Sequence, residues 1–170
     1  MTDRYEINPG DFKCSPFGII GNDWMEIVAG HAGKVNAMTA SWGGLGVMWG
    51  RNVAYAVIRP QRFTKQLVDA GAAFSLNFLD PKRYREQQNY LGTASGRYED
   101  KLAKARLEVL YVDGVPYLDA ADKVLICKKL YARPFDPKSF IDPKVDAEHY
   151  AESDHHTLYI AEVVRILGKA

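Results

Sequence analysis

The chain has 170 residues, 47% hydrophobic and 25% charged, with 22 Lys plus Arg against 21 Asp plus Glu for a net charge of +1. These proportions exclude disordered, collagenous and coiled-coil classes, and the even charge balance gives no support to nucleic-acid binding. A chain of this length can bury roughly 70% of its unfolded surface, so residues 1–170 read as a single domain with a self-sufficient core. Cys14 and Cys127 lie outside any CxxC pair and read as reduced thiols of a cytoplasmic protein. The polar start over residues 1–6 predicts no signal peptide. Glycines and charges interrupt every apolar run, so no membrane span is expected.

In chain order, residues 17–20 form a short apolar run and 23–30 a candidate strand. Residues 35–42 alternate loosely, and 53–58 predict a buried strand rich in apolar residues. Past Arg59-Pro60 the period changes. Phe63, Leu67 and Ala70 make a helical stripe that Gly71 is placed to end, with Pro60 suited to the first turn. Residues 73–78 return to the strand period, with Phe74, Leu76 and Phe78 on one face. Residues 81–88 and 100–106 predict short polar helices either side of a small-residue loop that begins at Gly92. Residues 107–112, 115–118, 124–131 and 156–167 complete the strands, and 133–154, rich in Pro and Asp, predict an excursion over the surface. Strands close in sequence, few helices and Gly-rich turns predict a mainly β fold, an antiparallel barrel with a few peripheral helices.

The segment Ile58-Arg59-Pro60-Gln61-Arg62-Phe63-Thr64 joins a buried strand to a helix start. Free N–H groups and the positive end of the helix dipole make such a junction an anion site. Arginines there oppose the dipole unless an anion is bound. Arg59, Arg62 and Thr64 thus point to a phosphate, against the alternative that the arginines are solvated or paired with acids elsewhere. Upstream, Asn36, Ala37, Met38, Thr39, Ala40, Ser41 and Trp42 form a strand whose small residues would let a flat heterocycle approach the backbone. Trp42, Trp49 or Met38 could cover its apolar part. The competing reading is a barrel strand with small residues at a bend and tryptophans in the core.

The glycines at 43, 44 and 46 are no dinucleotide fingerprint, because Trp49 stands where the third glycine belongs. His155 and His156 are neighbours that a strand would point to opposite faces, so they are poorly placed to share a metal, and none is expected. One of them facing a pocket could bond a ring or act as an acid. Ser95 lacks the setting of a hydrolase nucleophile.

In order, these segments resemble the flavin reductase-like family of FMN-binding split barrels, and within it the flavoredoxin branch. Besides the two stretches above, the resemblance rests on Gly71-Ala72-Ala73-Phe74-Ser75-Leu76-Asn77, Gly92-Thr93-Ala94-Ser95-Gly96-Arg97 with Asp100-Lys101, and Asp154-His155-His156-Thr157-Leu158-Tyr159. It implies a six-stranded antiparallel split β-barrel of Greek-key type, a homodimer with FMN near the interface, and NADH or NADPH as reductant. The electrons would pass to an acceptor, which can be a protein. The alternative within the family is an electron-transfer flavoprotein reduced by a protein partner. The resemblance would set Asn36, Ala37, Met38, Thr39, Ser41, Trp42 and Trp49 along the flavin ring. Arg59, Arg62, Phe63 and Thr64 would lie at the phosphate, with Asn77, Ser95, Gly96 and the one candidate catalytic residue, His155, nearby. The run from Gly43 to Gly50 departs from the hydrophobic continuation expected there.

Overall fold

A computed structural model describes residues 3–170; Met1 and Thr2, part of the polar start, lie outside the described residues. The elements in chain order are β1 (Arg4–Glu6), β2 (Met25–His31), β3 (Lys34–Ala40), β4 (Gly43–Met48) and β5 (Arg51–Ile58). They continue with α1 (Phe63–Ala70), β6 (Ala73–Phe78), α2 (Pro81–Thr93), α3 (Lys101–Ala105), β7 (Val109–Val112) and β8 (Val115–Leu118). The last are β9 (Lys123–Pro134), α4 (Pro143–His149) and β10 (Thr157–Lys169).

Eight strands form one antiparallel sheet in the order β3-β2-β6-β9-β10-β5-β4, with β1 paired to the far end of β10. β2, β3, β5, β6, β9 and β10 supply buried apolar residues to one interior, among them Met25, Ile27, Phe74, Leu76, Leu125 and Tyr159. Leu67 and Val68 of α1 pack into the same interior. Each large apolar side chain buried there contributes roughly 1.5–3 kcal/mol. The fold is thus the mainly β antiparallel barrel expected, with eight strands in the sheet where six were expected. β1 and β4 are the additions. Neither supplies a buried residue, so neither has the apolar alternation that marks a strand.

β3 and β4 are consecutive in the chain yet lie at opposite ends of the sheet order, which leaves the barrel split between them. On the outer surface, α2, α3 and the β7–β8 hairpin cover a second apolar cluster around Val28, Leu91, Leu118 and Val124. Asn77 locks that hairpin to the barrel by accepting from the Leu118 N–H at 2.8 Å.

Four local expectations change. Residues 17–20 are no strand: Gly18–Asn22 is a single π-helical turn that buries Ile19 and Ile20. α1 begins at Phe63 with Arg62 as its N-cap, so Pro60 sits in the preceding turn, which the Arg62 N–H closes on the Arg59 carbonyl at 3.2 Å. α2 runs on through Gly92 and Thr93, and the small-residue loop starts at Ala94. The excursion is less peripheral than its composition suggests, because its Tyr150 is buried.

Candidate functional site

The split is where the chemistry collects. β5 ends by delivering Arg59, a turn follows, and Arg62 caps α1 in extended conformation with no side-chain cap of its own. The first N–H groups of a helix have no intrahelical acceptor. Thr64 is buried in this first turn, and its hydroxyl accepts from Asn36 Nδ2 at 2.8 Å, tying β3 to α1. The loop after α2 comes so close that a Cβ on Gly96 would lie 2.4 Å from Asn36 Oδ1. Any larger residue there would have to push the Asn36 amide away from Thr64.

Two adjoining cavities result, sharing Met38, Arg59 and Arg62. One, of about 340 Å³, is lined by Arg62, Thr64, Ser95, Gly96 and Lys101 among others. The second, of about 180 Å³, runs along residues 38–42 to Val57 and His156.

The first cavity is crowded with positive charge. Arg59 is neutralised by Asp154, whose Oδ2 accepts from it at 2.5 Å and from Gln61 Nε2 at 2.7 Å. Arg62 has no side-chain hydrogen bond or ion pair among the described residues, and burial followed by the Arg59 charge moves its guanidinium below the usual range. Lys101 is buried and donates to the Leu91 carbonyl at 2.7 Å, and burial first and then the Arg62 charge bring it down to about 8. A desolvated cation without a counter-ion is costly. A phosphate or carboxylate group would offset that cost.

The second cavity has a different chemistry. Burial, reinforced by the Arg59 charge, brings His156 down to about 4, so its ring is neutral at pH 7. Its Nδ1 lies 2.9 Å from the Tyr150 hydroxyl, and Trp42 packs on it with ring centroids 5.1 Å apart. Asn36, Met38, Thr39, Ser41, Trp42, Arg59, Arg62, Phe63, Thr64, Ser95 and Gly96 are thus brought together along the two cavities.

Four expected residues are placed elsewhere. Ala37 is fully buried in the outer cluster. Asn77 is a core residue that donates to Ser75 Oγ at 2.8 Å and to the Glu26 carbonyl at 3.2 Å. Trp49 occupies the tight turn between β4 and β5 with φ of 52°, Gly50 following at 70°, and is 59% exposed. Positive φ at both central residues is the signature of a two-residue hairpin turn. His155 bonds Asp146 Oδ1 through Nε2 at 2.6 Å and stacks on Tyr150 with centroids 4.5 Å apart, holding the excursion together.

Sequence reasoning missed the roles of His156 and Lys101. Both histidines precede β10, so strand alternation gives no guide between them. Lys101 had a signal. It is the first residue of α3, a cation opposing a helix dipole like Arg62.

Comparison with known proteins agrees with this fold. The sequence matches the family described as flavin reductase like domain over residues 24–169. No curated protein sequence matches. Among solved structures, the chain is similar to an FMN-binding domain of a flavin reductase-like enzyme from Shewanella baltica OS155. That pair has a TM-score of 0.71 and 14% identity, over 99% of this chain and 78% of that one. A flavoredoxin from Methanosarcina acetivorans matches with a TM-score of 0.67 and 18% identity, over 85% of this chain and 67% of that one. An FMN-binding protein from Thermus thermophilus with bound p-hydroxybenzaldehyde gives 0.66 and 23%, over 94% and 76%. With most of its length matched, the chain belongs to the flavin reductase-like domain family.

Proposed function

We propose that the joined cavities bind FMN and that the protein is an oxidoreductase, reducing flavin with NADH or NADPH and passing electrons to an acceptor. The observation that carries this reading is Arg62, a half-buried guanidinium without a partner among the described residues, flanked by Arg59 and Lys101. The phosphate would sit among Arg62, the start of α1, Thr64, the Ser95-Gly96 turn and Lys101. The ring would lie along residues 38–42 beside Trp42 and the neutral His156, where main-chain groups can read its polar edge.

When bound, FMN supplies the hydride and electron chemistry. The chain's part is to hold and orient it. Arg62 and Lys101 bind charge, Met38 and Trp42 offer apolar cover, and His156 adds no positive charge near the ring. Rate would come from geometry rather than from a proton-transferring side chain.

The same reading makes the protein a homodimer in the cytoplasm. A second copy would cover the exposed β4–β5 hairpin, where Val47 and Trp49 stand uncovered.

The test is an absorption spectrum of the purified protein, before and after anaerobic NADH and then NADPH. A flavin spectrum bleached by either nucleotide is the expected result. A flavin spectrum that neither bleaches assigns the protein to electron transfer from a protein donor. Failure to bind added FMN would overturn the reading.

A further inference from the structure

Behind the wall of residues 38–42, the side chain of Glu26 on β2 is fully buried. Its Oε2 lies 2.7 Å from the Thr39 hydroxyl oxygen, and that oxygen lies 2.6 Å from the Gln88 carbonyl. A threonine hydroxyl has one proton, and neither a carboxylate nor a carbonyl can donate. Both contacts are hydrogen bonds only if Glu26 is protonated, its O–H donating to Thr39 while the Thr39 proton goes to Gln88. An ionised Glu26 would leave one close oxygen pair with no proton between.

The surroundings agree. Glu26 Oε1 and Gln88 Oε1 are both buried without a hydrogen-bond partner, a surplus of acceptors. Gln88 Nε2 donates one proton to the Asp23 carbonyl at 2.9 Å, and its other side-chain proton is the one neighbouring donor that favours an ionised Glu26 besides Thr39. From β6, Asn77 donates to the main-chain carbonyl of Glu26, not to its carboxyl group. Two cations reach Glu26 through their fields, Lys101 of α3 and Arg85 of α2. Lys101 donates to the Leu91 carbonyl. Arg85 donates to the Asn22 carbonyl at 2.9 Å and lies 4.0 Å from the centre of the Trp24 ring. Arg85 Nη1 is buried without a hydrogen-bond partner among the described residues and makes no ion pair with Glu26. Burial raises this carboxyl to about 7, against the opposing effects of Thr39, Gln88, Lys101 and Arg85.

We propose that Glu26 is a positioning residue that is protonated up to the neutral range, fixes Thr39 through that proton, and makes occupancy of the cavity in front proton-linked. Loss of the proton sets a negative charge behind the wall and weakens binding of an anionic, electron-rich ligand. The linkage rests on the reading of the cavity as an FMN site.

The test follows the protein labelled with ¹³C at glutamate carboxyls by NMR from pH 5 to 9, with Glu26→Gln assigning the signal. FMN is then titrated into both proteins at pH 6 and pH 8.5. One carboxyl should titrate near neutrality, well apart from the exposed glutamates, and wild-type affinity should fall about threefold or more between the two pH values. Glu26→Gln, which mimics the neutral acid, should reduce that fall, the remainder coming from loss of the Lys101 charge, which burial brings down to about 8. A Glu26 signal titrating with the exposed glutamates overturns the proposal, as does a variant that keeps the wild-type pH dependence or fails to fold at pH 6. If FMN binds neither protein, the FMN reading and the linkage fail together, while the carboxyl titration still decides whether Glu26 holds the proton.

Discussion

Arg62 combines desolvation, two cationic neighbours and no counter-ion, so its removal separates binding from folding. Arg62→Ala is expected to weaken FMN binding by about 1.5–3 kcal/mol, the range for hydrogen bonds to charged groups. Its thermal midpoint should be unchanged or slightly raised, because repulsion from Arg59 and Lys101 is relieved. Fluorescence titration and a melting curve check both parts. An unchanged affinity would count against the phosphate assignment. Much of this corner was legible in the sequence, because two arginines at a strand-to-helix junction contradict the helix dipole. Trp49 lies in a turn and lines neither cavity for a physical reason: beside Gly50 it sits at positive φ, and the sequence does not distinguish a ring-sized side chain in a turn from one in a pocket. The choice between His155 and His156 depends on how the excursion folds back, which no local pattern encodes.

The loop after α2 and the excursion before β10 each hold one side of the site. Gly96→Ala places a Cβ against Asn36, which would displace that side chain from Thr64. The expected cost is about 1–3 kcal/mol of stability, as for overpacking elsewhere, together with weaker FMN binding. Chemical denaturation and titration read the two effects. Asp154 draws Arg59 and Gln61 onto the end of the excursion, and Arg59 also donates to the His149 carbonyl at 3.0 Å. Asp154→Asn should therefore loosen residues 135–154 and speed their cleavage in limited proteolysis, with the barrel fragment intact. Equal cleavage rates would show that the ring stack of Tyr150 on His155 suffices. The apolar strands β2, β3, β5, β6, β9 and β10 were legible because burial writes itself into their composition. β4 was not. Its glycines and exposed Val47 satisfy backbone pairing with β5 alone, and pairing leaves no mark on side-chain choice.

Two buried groups give the whole molecule an unusual stability profile against pH. His156 is brought down to about 4 from 6.5, so the unfolded chain binds more protons between those values and stability rises with pH there. Glu26 is raised to about 7 from 4.5, so the folded protein holds more protons in that interval and stability falls with pH. The slopes oppose each other where the windows overlap, and from pH 6.5 to about 7 only the Glu26 decline continues; Lys101, brought down to about 8 from 10.5, makes stability rise with pH above that. Glu26→Gln should steepen the acid loss and remove the loss on approaching pH 7. Urea midpoints from pH 4 to 8.5 decide this, and parallel curves for the two proteins would contradict it. The topology carries a further consequence. β10 pairs with β9, β5 and β1, so it lies inside the sheet although it is made after every strand it joins. During synthesis the earlier strands can pair only as two separate groups, β3-β2-β6-β9 and β5-β4, and the facing edges of β5 and β9 stay open until residues 157–169 leave the ribosome. A pause or truncation there would strand a chain whose exposed edges invite aggregation.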